Sequence, residues 1–378
     1  MSIQTGENLG VGAIGLGGHF DWSHLPFLEE LSACEITGLA DKDEVRLTEV
    51  RNRLLLPEEA AFTDYRQLLG SKAVQAVIIA TGDSSHFSIA QGCLRPADSN
   101  GGPLIGQDGL PVRGKHVLLE KPAAVTAEEC AQLPDLFDYA EREGLRFWVC
   151  HPREHGDGPW GKAAELIGNP ELISETFGVG SMGKLLEVRY DCHYTLPAGG
   201  EEPLHDSFAN DKMNHNIASL MGALPDVTGF HNAVMLDNTQ TSYDARMVTL
   251  SEEPSQAGIV VRMGGRRSAH KANHGGGAYR DIFSAIFEEG ELKVEPSLGT
   301  IGLVYGKKPK SPLEFDPDTL YDDMFRAENA AFVQAVLDPS RPEPLAKRAR
   351  ILATAAAILM QQPGFEGVIT EEVVRSLA

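Results

Sequence analysis

The chain is poor in positive charge. Its 378 residues carry 33 Lys and Arg against 54 Asp and Glu, a formal net charge of −21. That balance excludes nucleic acid or an anionic membrane surface as the main partner, because both need a basic patch. Cysteine is scarce: Cys34, Cys93, Cys130, Cys150 and Cys192, an odd number with no CxxC spacing. No disulfide framework is expected, and the thiols read as reduced and buried in a cytoplasmic protein. No apolar run reaches the length of a membrane span, and Met1 to Asn8 lacks a charged-then-apolar leader pattern. Internal repeats and long low-complexity segments are also missing. Apolar residues still make up 42% of the chain, so sizeable cores need no staple. The length suits two domains.

Glycine is present where a nucleotide site would need it. Leu9 to Ile14 reads as a small apolar strand that runs into Gly15-Leu16-Gly17-Gly18-His19-Phe20. This is a GxGxx turn with Phe20 where a third glycine or alanine is usual. Ser23 to Leu31 follows with helical apolar spacing, and Glu35 to Ala40 reads as a second strand ending in Asp41. Strand, glycine turn, helix, strand and acid is the order of a βαβ dinucleotide-binding unit. Gly15 permits the tight turn and Gly17 lets backbone approach a pyrophosphate, whose charge the exposed N–H groups at the helix start favour; Gly18, His19 and Phe20 in the same turn are read as cofactor-binding with them. Asp41 can accept hydrogen bonds from both ribose hydroxyls and repels a 2′-phosphate. NAD is therefore favoured over NADP, although Lys42 and Arg46 weaken that preference. The plainer reading of Asp41 is a solvated strand-end carboxylate.

A third buried strand, Ala73 to Ala80, ends at Thr81 and Gly82, which fall against the cofactor, with His86 lining it. Arg95 to Arg113 is rich in Gly, Pro, Asp and Asn and reads as an inserted surface loop. Then His116-Val117-Leu118-Leu119 reads as a strand covered on both faces, with Glu120-Lys121-Pro122 at its exit. Ligands of open α/β sheets sit beyond the carboxyl ends of the strands, so these two charges stand where a site is expected. A helix over Thr126 to Glu143 and a strand over Leu145 to Cys150 follow. His151 and His155 are four apart, but Pro152 and the glycines argue against one helical face, and no metal site is read.

In the second half, Gly161 to Gly168 reads as a helix and Gly183 to Tyr194 as an alternating strand, in which His193 and Tyr194 point to opposite faces. Asp211 and His215 are one helical turn apart, a spacing that lets a carboxylate set the state of an imidazole. The same spacing describes an ordinary surface pair. Thr228 to Val304 is largely strand-like, with Gly264 to Arg267 and His274 to Gly277 as loops; Glu328 to Leu337 and Pro344 to Met360 read as closing helices.

Taken with Ile14 to Gly17, Leu39-Ala40-Asp41 and Val77 to Thr81 with His86, the stretch Gly114 to Pro122 resembles the Gfo/Idh/MocA family, the glucose–fructose oxidoreductase and inositol dehydrogenase group. The resemblance implies an α/β fold: an N-terminal Rossmann domain (1–150) plus a C-terminal α/β domain (151–378) with an open, mostly antiparallel sheet and helices that can pack back on the first domain. It implies NAD, or NADP, as cofactor, with Glu120-Lys121-Pro122 where nicotinamide meets substrate and a cis Lys–Pro bond. It implies Lys121, Asp211 and His215 as catalytic residues, Glu120 as cofactor support, and Arg153 and His193 as substrate contacts. Met213 stands where the family often has glycine, which is expected to reshape the pocket. The expected function is hydride transfer at a hydroxyl or carbonyl carbon of a sugar, cyclitol or similar polyol, by a homodimer or homotetramer formed through the C-terminal sheet. Two alternatives are an NAD-dependent glycoside hydrolase and a non-catalytic NAD-binding regulator.

Overall fold

The computed structural model describes residues 8–98, 100–106, 109–155, 158–195, 208–239, 242–268 and 279–377. The chain divides into two compact units. One comprises Met1–Val125, Gln132–Pro152 and Phe325–Glu343; the other comprises Thr126–Ala131, Arg153–Met324 and Pro344–Ala378.

The first unit is built on β1 (Leu9–Ile14), α1 (Gly18–Ser23), α2 (Leu25–Glu30), β2 (Cys34–Ala40), α3 (Glu44–Arg53), β3 (Ala61–Phe62), α4 (Tyr65–Leu69), β4 (Ala76–Ile79), α5 (His86–Leu94), β5 (His116–Leu119), α6 (Ala127–Arg142) and β6 (Phe147–Val149). The six strands form one parallel sheet in the order β3-β2-β1-β4-β5-β6. All six residues of β1 and all four of β4 are buried, as a sheet covered on both faces requires. Phe20, Leu25, Leu39, Ile78, Leu118 and Trp148 share one core with Phe332, Val333 and Val336, so a segment far along the chain completes this unit. One reading needs correcting. The helix expected over Ser23 to Leu31 is two short helices broken at His24, with Pro26 in the first turn of the second. The described residues of 95–113 form no helix or strand, as read for a loop, and two isolated antiparallel bridges join Ala97 with Pro103 and Ile105 with Pro111.

The second unit continues with α7 (Pro159–Gly168), α8 (Pro170–Phe177), β7 (Leu185–Thr195), α9 (Phe208–Ala223), β8 (Val227–Asn238), β9 (Ser242–Ser251), β10 (Val260–Ser268), β11 (Tyr279–Phe287), β12 (Gly290–Glu295), β13 (Thr300–Tyr305), β14 (Lys308–Pro309) and β15 (Leu313–Glu314); α10 (Leu320–Leu337) belongs to the first unit from Phe325 onward, and α11 (Lys347–Leu359), β16 (Glu366–Thr370) and α12 (Glu371–Arg375) return to the second. Its ten-stranded sheet runs β14-β13-β12-β11-β7-β10-β9-β8-β16, with β15 beside β13. Every pairing is antiparallel except β10 with β7. Gly264 to Arg267, read above as a loop, lies inside β10: its backbone pairs with β7 on one side and β9 on the other, and two-sided pairing overrides the turn preference of glycine. His274 to Gly277 lies outside the described residues. Along β7 the residues alternate, Val188, Tyr190 and Cys192 buried and Arg189, Asp191 and His193 exposed. Helices α7 and α9 pack on this sheet, and α9 packs with α11, whose residues Ala349 to Leu359 are all buried. Among the described residues no helix is long and apolar enough to cross a membrane.

Candidate dinucleotide-binding site

The site starts at the carboxyl end of β1. Gly15 has φ +84°, and a Cβ there would stand 2.7 Å from the Ala80 carbonyl oxygen and 2.7 Å from Thr81 Cγ2. Only glycine fits that turn without strain. Gly17 and Gly18 are exposed, and a Cβ on either would meet nothing within 4 Å. The loop is therefore packed tightly beneath and open above, the shape a backbone-lined phosphate cradle needs. Asp41 braces it: Leu16 N–H donates to Asp41 Oδ2 (2.6 Å) and Asp43 N–H to Asp41 Oδ1 (2.9 Å). Two carboxylate oxygens still offer lone pairs to ribose hydroxyls. Arg46 is spent on the same loop, with Nε donating to the Leu16 carbonyl (2.5 Å) and its guanidinium paired with Asp21. These residues fit a dinucleotide carrying free ribose hydroxyls.

Thr81 and Gly82 follow β4 at the sheet's carboxyl edge. Ser85 Oγ donates to Thr81 Oγ1 (2.8 Å), and Gly82 is exposed. His86 is almost wholly buried: Nδ1 faces the Pro122 carbonyl and Nε2 the Thr81 carbonyl, each at 2.9 Å. It is a strut between the exits of β4 and β5. Phe20, placed against the cofactor by its position in the motif, has no exposed surface and sits in the core. It fills beneath the loop the space that a smaller residue would leave.

At the exit of β5 the Lys121–Pro122 peptide is cis. Lys121 is half-buried, and its N–H donates to Glu120 Oε2 (3.2 Å). Lys115 at the other end of the strand is a structural lysine, its Nζ donating to the carbonyls of Ser71 (3.1 Å) and Val74 (2.6 Å). Glu120 is 4% exposed and receives two imidazoles on Oε1, His19 Nε2 at 2.8 Å and His24 Nε2 at 3.0 Å. Burial alone would raise its pKa; the histidines outweigh burial and hold the carboxyl well below the usual range. His24 was not singled out from the sequence. The signal that could have found it is the pairing of a histidine at a helix start, His24-Leu25-Pro26, with a buried acid in need of a partner.

The second unit treats its charged residues differently. Arg153 is buried, paired with Asp281 of β11, and donates to Asn216 Oδ1 of α9 (2.9 Å), with its guanidinium 4.4 Å above the Trp160 ring. These contacts hold it inside the unit. His193 lies on the exposed face of β7, opposite Tyr190 and Cys192. His215 is half-buried on α9, while the Asp211 side chain lies outside the described residues. Met213 is fully buried, so it packs in the core of this unit.

Residues 9–97 match the family model for oxidoreductases with an NAD-binding Rossmann fold, GFO_IDH_MocA. This segment is similar to the NAD-binding Rossmann domain of the Gfo/Idh/MocA oxidoreductases. The glycine loop, Asp41 and His86 all lie within this Gfo/Idh/MocA segment. A D-xylose 1-dehydrogenase (NADP(+)) of Haloferax volcanii is 26% identical over 196 residues, 50% of this chain and 48% of that protein. The match thus spans about half the length of that relative. Among solved structures, a 3-ketoreductase from Actinomadura kijaniata in complex with TDP-benzene and NADP superposes with TM-score 0.66 at 18% identity, covering 95% of this chain and 98% of the other. A scyllo-inositol dehydrogenase from Lactobacillus casei gives TM-score 0.65 at 16% identity, covering 94% and 96%. At such identities the Gfo/Idh/MocA structures speak for the fold alone: a parallel Rossmann sheet followed by a mostly antiparallel sheet.

Proposed function

We propose that this chain is a nicotinamide-dependent oxidoreductase acting on a hydroxyl or carbonyl carbon of a sugar, cyclitol or similar polyol. The observation that carries the reading is Lys121, a half-buried lysine at the exit of β5, the strand beside β4 in the same parallel sheet, whose segment 9–97 matches the Gfo/Idh/MocA model. The D-xylose dehydrogenase relative supports the substrate class.

The bound dinucleotide supplies the hydride acceptor or donor. Backbone N–H groups of Gly15, Gly17, Gly18 and His19 hold its phosphates and Asp41 its ribose, with Thr81, Gly82 and Glu120 lining the rest, while Phe20 and His86 support the site from within. Asp41 and the engaged Arg46 favour NAD over NADP. In this reading Lys121 hydrogen-bonds the reacting oxygen and stabilises negative charge as it develops. His215 takes the hydroxyl proton during oxidation and returns it during reduction, and Asp211 orients it. Arg153 and His193, assigned above to substrate, are instead a framework cation and a surface residue in this proposal. The exposed face of the second sheet, with Arg189, Asp191 and His193, would join copies of the chain into a dimer or tetramer. All five cysteines are buried and none is in a disulfide, which suits the cytoplasm.

The test is a panel of aldoses, inositols, amino-sugars and nucleotide-sugars with NAD and NADP, followed by NADH absorbance. Steady NADH formation with one class supports the proposal. Sugar release without accumulated NADH would point to a glycoside hydrolase, and dinucleotide binding with no chemistry across the panel to a regulator.

A further inference from the structure

We propose that His19, His24 and Glu120 form a binding site for a divalent cation of the Zn2+ class. His19 Nε2, His24 Nε2 and a Glu120 carboxylate oxygen all lie within 4.8 Å of one another. All three residues belong to the first unit, His19 at the start of α1, His24 at the break between α1 and α2, and Glu120 at the exit of β5.

The hydrogen bonding around His24 points to a cation. Asn329 Nδ2 donates to the carbonyls of Ser23 (3.1 Å) and Phe325 (2.8 Å), which fixes the orientation of the amide. Asn329 Oδ1 then faces His24 Nδ1 at 3.0 Å, so Nδ1 carries the proton. Without a second proton the ring would turn a lone pair from Nε2 to Glu120 Oε1, 3.0 Å away, itself an acceptor. Two lone pairs in a fully buried place require a cation between them, a proton or a metal ion. His19 decides in favour of the metal. Its Nε2 is sealed from solvent and makes no hydrogen bond, although Glu120 Oε1 is only 2.8 Å away. Two nitrogens and a carboxylate oxygen converge without hydrogen-bond geometry for both rings.

Two imidazoles and one carboxylate are a ligand set for Zn2+, leaving a fourth position for water or a ligand. Bonds of about 2.0–2.1 Å to a tetrahedral ion imply ligand separations of about 3.3 Å, so a small rotation of His19 opens the site to size. The outer shell is in place: Asn329 holds His24 through its second nitrogen, as metal-bound histidines are commonly held. His19, whose side chain is 38% exposed, gives the way in. Trp22 and Phe325 set their rings edge-on to it, at 4.9 and 6.1 Å.

The test is titration of the chelator-treated full chain with Co2+ and Zn2+, without substrate, so that the outcome is independent of the proposed redox activity. One equivalent of Co2+ should give the visible bands of a four-coordinate site, and Zn2+ should displace it and raise Tm. His19→Asn and Glu120→Gln should each abolish the bands, and Asn329→Leu should weaken binding by about 10–100-fold. His19 is the decisive position because its partial exposure lets the variant fold. No stoichiometric binding by the wild type, or equal binding by folded His19→Asn, would overturn the proposal.

Discussion

Each unit holds a glutamate in a largely apolar setting, and the two behave in opposite ways. Glu120, after β5, meets two imidazoles, and its carboxyl is held well below the usual range. Glu154, just past Pro152, is raised to about 7 by burial, with Ser219, Arg153 and Arg350 offsetting only part of that cost. Their contributions to stability therefore run in opposite directions with pH. The ionised Glu120 stabilises the fold above the unfolded carboxyl value, and this is lost as pH falls through its lower folded value. Glu154 binds its proton more tightly when folded, so its contribution falls as pH rises from about 4.5 to about 7. The buried Glu120 is kept charged by the imidazoles against it, whereas the half-buried Glu154 is driven toward neutrality.

That contrast can be broken most forcefully at Arg153. Arg153→Met would take the guanidinium away from buried Asp281, and is expected to cost about 3–5 kcal/mol in denaturant unfolding. A stable variant with a raised KM would instead make Arg153 a substrate contact. Next is Glu154→Gln, which removes the titrating group. Between about pH 4.5 and 7 the wild type should lose on the order of 3 kcal/mol relative to the variant; parallel stability curves would show that Glu154 titrates normally. Gly15→Ala should cost about 1–3 kcal/mol, from a left-handed φ and the overlap with Ala80 and Thr81. It should also weaken NAD binding, measured by calorimetry, whereas unchanged affinity would remove the loop from the site. The smallest effect is expected for His193→Ala, within about 0.5 kcal/mol in stability and without change in kcat/KM for a dilute, monomer-sized sample. A catalytic loss there would restore it as a substrate contact.

The fingerprint in the first unit was legible because its chemistry is local. Gly15, Gly17 and Asp41 lie within one βαβ stretch, and the buried runs of β4 and β5 announce a parallel sheet. The exit of β5 carried Glu120 and Lys121 into view for the same reason. What could not be read was set by distant partners. Asn329 reaches His24 across 305 residues, and Asp281 reaches Arg153 across 128. The family resemblance marked Arg153 as a candidate, but only its partners show that the guanidinium is already engaged. Phe20 looked like a departure from the glycine pattern; its burial shows a packing solution for the same turn. Gly264 and Gly265 looked like a loop because composition does not reveal pairing on both sides of a strand. His193 shows the limit of alternation, which assigns a face but does not say which face is covered.

The account rests on Lys121 acting on substrate without being needed to hold the dinucleotide. The most direct measurement is turnover and NAD affinity side by side for wild type and Lys121→Ala, on the substrate class found by the panel. Loss of a positioned catalytic group predicts a kcat lower by about 10²–10⁴-fold, with the Kd for NAD changed by less than about threefold. Turnover within a few-fold of wild type, or a collapse of NAD binding equal to the loss in rate, would contradict it.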